Sequence, residues 1–218
     1  MKTKLYLRIL LLLSLFLTNC SSSGKNLPKG FDYGEVKDNI YLNTFFDFSM
    51  NIPSGWVIQD KEQADELMQM GKDMIAGDDK KMKAVLDASY IKTANLLTVF
   101  QYELNTPEII FNPSLAIVAE NIKLTPGIKT GADYLTHGRK FMEQTQMYDY
   151  ISEEFEKETI NGVDFYILEA IIEFGEIEIL QKYYVTILNN FALSFIVTSG
   201  DEEQQDILMK SMRSIKFN

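Results

Sequence analysis

The chain has 218 residues, 46% of them apolar, which suffices for one ordinary domain with a core of its own. Its 31 Asp and Glu against 21 Lys and Arg give a formal charge of −10, which excludes nucleic-acid binding through clustered cations. One Cys and one His exclude an internal disulfide framework and any zinc site assembled from Cys and His alone.

The first segment reads as an export signal. Lys2, Lys4 and Arg8 precede an apolar run from Ile9 to Leu17 that only Ser14 interrupts. That run is too short to cross a hydrocarbon core of about 30 Å and has the length of a signal-peptide core. Leu17-Thr18-Asn19-Cys20 then gives way to Ser21-Ser22-Ser23-Gly24. A Cys at the cleavage position resembles the lipobox of bacterial lipoproteins, with Asn19 where that family usually carries Gly, Ala or Ser. The resemblance implies that residues 1–19 are removed, that the Cys20 thiol takes a diacylglycerol, and that the new amine is acylated. Ser21, rather than Asp, after the Cys implies sorting to the outer membrane. Several acyl chains anchor a protein stably where one does not. Losing Lys2, Lys4 and Arg8 takes the formal charge from −10 to −13, so anionic headgroups should repel the domain and the lipid should do the anchoring. Cys20 is the only Cys, so the exported domain would hold neither disulfide nor thiol and must rely on its core.

After Cys20 the chain has linker composition, and residues 20–38 are expected to be the lipidated Cys and a flexible tether ahead of a single domain over 39–218. Phe46 to Ile52 alternates apolar and polar residues as a strand does, Pro53-Ser54-Gly55 turns, and Trp56-Val57-Ile58 starts the next strand with Trp56 as a packing residue. Over 60–89 the period changes: Ala64, Leu67, Met68, Gly71, Met74 and Ile75 form a helical stripe, Gly77-Asp78-Asp79 interrupts it, and Met82, Val85 and Leu86 resume it. Two short helices are expected there, their methionines serving core packing. Leu96–Leu104 and Leu115–Ile122 read as strands. Thr130 caps a helix to about Met147, with Asp133 in its first turn.

The last third is patterned most strongly. A polar strand from Tyr150 to Ile160 meets Asn161-Gly162, a tight-hairpin signal, and Val163–Phe174 answers it. Gly175 turns into Ile177–Ile187 at period two, Asn189-Asn190 turns again, and Phe191 to Val197 return. Ser199 with Glu202 reads as a capping box opening a final helix through about Ser214. This is an antiparallel meander closed by a helix on one sheet face.

The order of elements, with Ile52-Pro53-Ser54-Gly55-Trp56 after the alternating strand and Ser214-Ile215-Lys216-Phe217 after the last helix, resembles the PsbP-like family over about residues 40–217. That resemblance implies an α+β fold, an α/β/α sandwich around a mainly antiparallel sheet with a C-terminal helix packed on it, and a role in binding or assembly. It transfers no catalytic residues. The segment at 60–89 is longer than the family's core would hold.

Chemistry is sparse. His137 is the sole His, without a nucleophile-elbow motif, and reads as a structurally placed side chain. Glu154, Glu156 and Glu158 would share one strand face, where they could bind a cation or guard an exposed edge. No metal site, cofactor or enzymatic activity is expected. The expectation is a lipid-anchored envelope protein that meets the membrane through Cys20 and serves as a non-catalytic binding or assembly module for another envelope protein. The alternative is a carrier of a small apolar ligand in a pocket between sheet and helices. The sequence leaves the oligomeric state open.

Overall fold

A computed structural model describes residues 26–145 and 147–218, and the signal segment and Cys20 lie outside them. The expected α+β class is what the chain adopts. A large antiparallel sheet forms the middle layer, in the order β4 (Val57–Ile58), β5 (Thr93–Phe100), β6 (Ser114–Asn121), β11 (Phe191–Ser199), β10 (Ile177–Leu188), β9 (Val163–Phe174) and β7 (Tyr150–Ile151). Strand β8 (Glu156–Ile160) pairs with β9 as well. Helices α1 (Lys61–Ala76), α2 (Lys80–Lys92) and α3 (Gly131–Thr145) lie on one face. The other face carries α4 (Glu202–Arg213) and a second antiparallel sheet in the order β1 (Glu35–Lys37), β2 (Ile40–Asn43), β3 (Phe48–Asn51) and β12 (Lys216–Phe217).

Alternation decides which residues enter which interface. In β11, Phe191, Leu193, Phe195 and Val197 point into the main core, while Ala192 and Ser194 face the helices. Phe195 meets Phe48 and Phe165 with ring centroids 5.5 and 5.7 Å apart, and Phe217 closes the group against Phe48 at 5.7 Å. Such offset ring pairs add about 0.5–1.5 kcal/mol each beyond the area they bury. Leu208, Met212 and Ile215 bring α4 and its following turn into the same core.

Local chemistry explains the boundaries. Asp60 and Gln63 exchange hydrogen bonds as a capping box at the start of α1, and Asp79 caps α2. Thr130 and Asp133 do the same for α3. The cap of α4 is Asp201, whose carboxylate accepts from the Gln204 backbone N–H at 2.8 Å. This corrects the expected Ser199–Glu202 box, because Ser199 is the last residue of β11. Met74 was placed in the apolar stripe of α1 but is 74% exposed. Trp56 is partly buried against the main core at the turn before β4.

The chain is packed from Asn26 onward, so residues 26–38, expected as part of a flexible tether, belong to the folded domain. The Asn26 N–H donates to the Ile91 carbonyl at 2.8 Å, and Asn121 Nδ2 donates to the Asn26 carbonyl at 3.1 Å. Phe31 stacks among Phe45, Phe46 and Phe191. The buried Asn43 amide donates to Tyr41 and to the Asp32 carbonyl, and the Tyr41 hydroxyl donates to the Tyr33 carbonyl. Gly34 at φ +80° lies against the Tyr41 ring where a Cβ would collide, so only glycine fits.

The Asp32 carboxylate accepts from the Gly34 N–H at 2.8 Å and from the Thr44 N–H and hydroxyl at 2.8 and 2.7 Å. Burial pushes its pKa upward, but these bonds outweigh it and hold the group below its ordinary value. A depressed folded pKa contributes stability that is present above the unfolded value, about 3.9, and is lost as pH falls through the folded one. Asp32→Asn should therefore lower the urea midpoint at pH 7 and close that gap as the medium is acidified below about pH 4. A gap that stays constant from neutral to acid pH would show the charged form to be irrelevant.

Candidate functional site

The helical face of the large sheet is covered at its two sides and open between them. Asn95 Nδ2 in β5 donates to the Ala64 carbonyl of α1 at 3.3 Å and holds that helix over β5. α3 packs on β9 and β10 through Leu135 and Met142, against Leu168, Ala170 and Val185. Its first residue sits so close to β10 that a Cβ on Gly131 would strike the Val185 carbonyl oxygen. β6 and β11 between them present Val118, Glu120, Ser194 and Ile196 to the space between α2 and α3.

The result is a cleft of three contiguous lobes, of about 310, 450 and 240 Å³. Met68, Ile75 and Leu86 line the lobe under α1 and α2. Ile122, Ile128 and Phe141 line the largest lobe, and Tyr148, Leu168 and Tyr183 the lobe beneath α3. Tyr134 borders all three. Gly138 borders two, with nothing within 4 Å of the position a Cβ would take.

Polar side chains interrupt this lining, Lys72, Thr125 and Arg139 among them, and two groups of them are organised. The Tyr134 hydroxyl donates to Glu120 Oε2 at 2.8 Å, and Lys92 Nζ stands 3.6 Å from Glu120 Oε1. Burial, and then the Glu120 charge beside it, push the Tyr134 phenol well above its ordinary pKa. The Tyr148 and Tyr183 hydroxyls are 3.0 Å apart, Tyr183 donates to Gln181 Oε1 at 2.7 Å, and Gln181 Nε2 donates to Thr198 Oγ1 at 3.3 Å. Burial and the neighbouring Tyr148 likewise raise the Tyr183 phenol. At neutral pH both phenols are therefore uncharged hydrogen-bonding groups. An apolar cleft with a few fixed polar groups is the usual form of a small-molecule site.

The sequence candidates fall elsewhere. Glu156 and Glu158 share a face of β8, on the side where Ile160 enters the main core, but Glu154 does not join them. The expected strand from Tyr150 to Ile160 breaks at 152–155, where the Ser152 N–H donates to the Glu169 carbonyl and Arg139 lies over the Phe155 ring. No group of three or more His, Cys, Asp or Glu gathers among the described residues in a way that could hold a metal. Cys20 lies outside the described residues. His137 is exposed on α3, at the rim of the largest lobe. Glu120, Lys92 and Tyr134 were missed; the available signal was Glu120 itself, a carboxylate inside the apolar run Leu115–Ile122.

No protein-family profile and no curated protein matches the chain. Among solved structures it is similar to cyanobacterial PsbP from Synechocystis sp. PCC 6803, at 16% identity over 85% of this chain and 96% of that one, with a TM-score of 0.48. A Bacteroides thetaiotaomicron protein is 10% identical over 84% of this chain with a TM-score of 0.45, and the chain spans about half (49%) of its length. LpqN of Mycobacterium tuberculosis, involved in cell envelope biogenesis, is 13% identical over 57% of this chain and 78% of its own, with a TM-score of 0.36. At these values the likenesses assign neither family nor activity.

The two glycines of α3 should respond oppositely to the same substitution. Gly131→Ala, forced against the β10 backbone, should destabilise by about 1–3 kcal/mol. Gly138→Ala meets open space inside a helix and should stabilise by about 0.5–1 kcal/mol. Chemical denaturation of both variants checks the pair, and equal effects would contradict the close docking of α3 on β10.

Proposed function

We propose that this chain is a lipid-anchored envelope protein of the PsbP-like kind, held at the outer membrane through Cys20, and that it is a non-catalytic binding protein. The reading ahead of others is capture of a small, mainly apolar molecule in the cleft between the sheet and its helices. One observation carries it: the space between the helices and strands β6 and β11 is lined by apolar and aromatic side chains and carries an internally satisfied polar centre at Tyr134 and Glu120. A ligand entering there displaces water from apolar surface at about 25 cal/mol per Å² without stranding a buried charge. The phenols at the cleft are pushed away from the anionic form a nucleophile or general base would need, which favours binding over chemistry.

A second reading, docking of another envelope protein, draws on a different observation. Met70 and Met74 project from α1 at 57% and 74% exposure, and adaptable methionine surfaces suit protein partners. It ranks second because these side chains stand on the outside of α1, apart from the organised polar groups.

Titrating the exported domain with the neutral dye N-phenylnaphthylamine tests the first reading. The dye should bind with enhanced fluorescence, and Gly138→Leu, which fills the junction of two lobes, should weaken binding at least about tenfold, or about 1.4 kcal/mol, without unfolding the protein. Binding that ignores Gly138→Leu but falls when Met70 and Met74 become Gln moves the site to α1 and favours a protein partner. For the anchor, Cys20→Ser should leave an unprocessed or soluble exported form, and intact mass should show diacylglycerol on the native N-terminus.

A further inference from the structure

We infer that the end of the domain bearing Ile91, Lys123, Leu124 and Lys129 lies against the lipid surface, so that the largest lobe of the cleft opens toward the membrane. The inference rests on acylation of Cys20 and goes beyond it, because an anchor alone sets no orientation.

The chain path carries the first argument. Only five residues lie between Cys20 and Asn26, and the six Cα-to-Cα steps span at most about 20 Å. Asn26 is fixed by two backbone hydrogen bonds, to the carbonyl of Ile91 at the end of α2 and from the side chain of Asn121 at the end of β6. An anchored Cys20 therefore holds this end of the domain within about 20 Å of the bilayer surface, roughly half the thickness of a bilayer with its headgroups. The loop 122–130 leaves from the same junction and forms one wall of the largest lobe, with Val85 and Leu86 of α2 opposite.

The surface chemistry carries the second. Leu124 is 81% exposed and Ile91 49%, large aliphatic side chains on the tether side, and exposed Lys123 and Lys129 flank Leu124 in the same loop. The carboxylates at this end are engaged within the protein: Glu120 by Tyr134 and Lys92, Asp133 by the backbone N–H groups of Lys129 and Thr130, Asp32 by Gly34 and Thr44, Asp47 by Asn218, and Asp164 by Lys157 and Thr159. The large sheet extends away from this junction, and the loops at its far end are the opposite in sign. They carry Glu103, Glu108, Glu173, Glu176, Glu178 and Asp201, and neither 101–113, 171–178 nor 199–203 contains a Lys or Arg. A strongly acidic domain on an anionic surface lowers its energy by turning its acidic end away and its lysine-bearing end inward. Insertion of Leu124 between headgroups adds an apolar contribution of the same sign.

The test uses the full chain, processed and acylated, in vesicles of phosphatidylethanolamine and phosphatidylglycerol containing a nitroxide-labelled phosphatidylcholine. With Cys20 acylated, Leu124→Cys provides a single reactive thiol for a bimane probe, and Phe174→Cys or Ile110→Cys provides the far-end counterpart at an exposed position. The Leu124 probe should lose most of its fluorescence to the lipid nitroxide and the far-end probes should keep theirs, while Lys123→Glu with Lys129→Glu should relieve the quenching without releasing the protein. A vesicle-bound chain whose Leu124 and far-end probes are quenched alike overturns the orientation and leaves the anchor standing. A chain that fails to float with the vesicles removes the anchor, and the orientation with it.

Discussion

The contact between Phe195 and the rings around it is the interaction on which the rest of the molecule depends. Phe48 belongs to the small sheet, Phe165 and Phe195 to the large one, and Phe217 follows the last helix, so one cluster joins two sheets and the C-terminus. Phe48, Phe165 and Phe195 are fully buried, as are Leu208 and Met212 of α4 beside them. A second ring group, Phe31, Phe45, Phe46 and Phe191, repeats the device at the N-terminal end and draws in the residues after Asn26. Large rings bury the most area per residue, and they supply the core of a chain with no cysteine after Cys20.

That concentration of packing on one face has a consequence on the other. Because the small sheet and α4 complete the core, the helical face need not be sealed. β11 shows the division within one strand: its core-facing positions are Phe191, Leu193, Phe195 and Val197, and its helix-facing positions Ala192, Ser194 and Ile196 are smaller or more polar on average. The cleft is thus a product of the same alternation that builds the core. Tyr134, Tyr148 and Tyr183 satisfy their hydroxyls with one another or with Glu120 and Gln181. They give the cleft polarity without charge, since burial pushes their phenols upward.

Much of this was legible in the sequence, and the failures have physical causes. The long strands β9, β10 and β11 alternate over nine to twelve residues, and Asn161-Gly162 and Asn189-Asn190 take the positive φ values that tight hairpins demand. The break between α1 and α2 at Gly77–Asp79 was equally plain. Strands β1 and β2 were not, because three or four residues are too few to show a period. Their one signal was Asp38-Asn39, a pair at positive φ between them. The polar strand at 150–160 read as continuous because a two-residue strand, an interruption and a five-residue strand all pair along the same edge of β9. Of the cleft, the sequence predicts only a pocket between sheet and helices. Its centre at Glu120, Lys92 and Tyr134 unites residues far apart in the chain, and local periodicity holds no record of such meetings.

The helices bordering the cleft are not equally held, and this bears on how the cleft works. α3 is docked by Gly131 against the β10 backbone and by the buried Leu135 and Met142. α2 buries no residue fully, and α1 buries only Ala64 and Ala76. The ion pairs of Lys72 with Asp87 and of Lys83 with Asp73 join α1 to α2. Such a unit sits at the low-stability end of a domain's local opening spectrum, where segments that admit ligands are found. The ion pair between Lys92 and Glu120 and the hydrogen bond from Asn95 to Ala64 fasten its two ends to the sheet. α2 also runs into β5 without a loop, Lys92 being followed by Thr93, so the end of the pair that is free of the sheet is the turn at Gly77–Asp79.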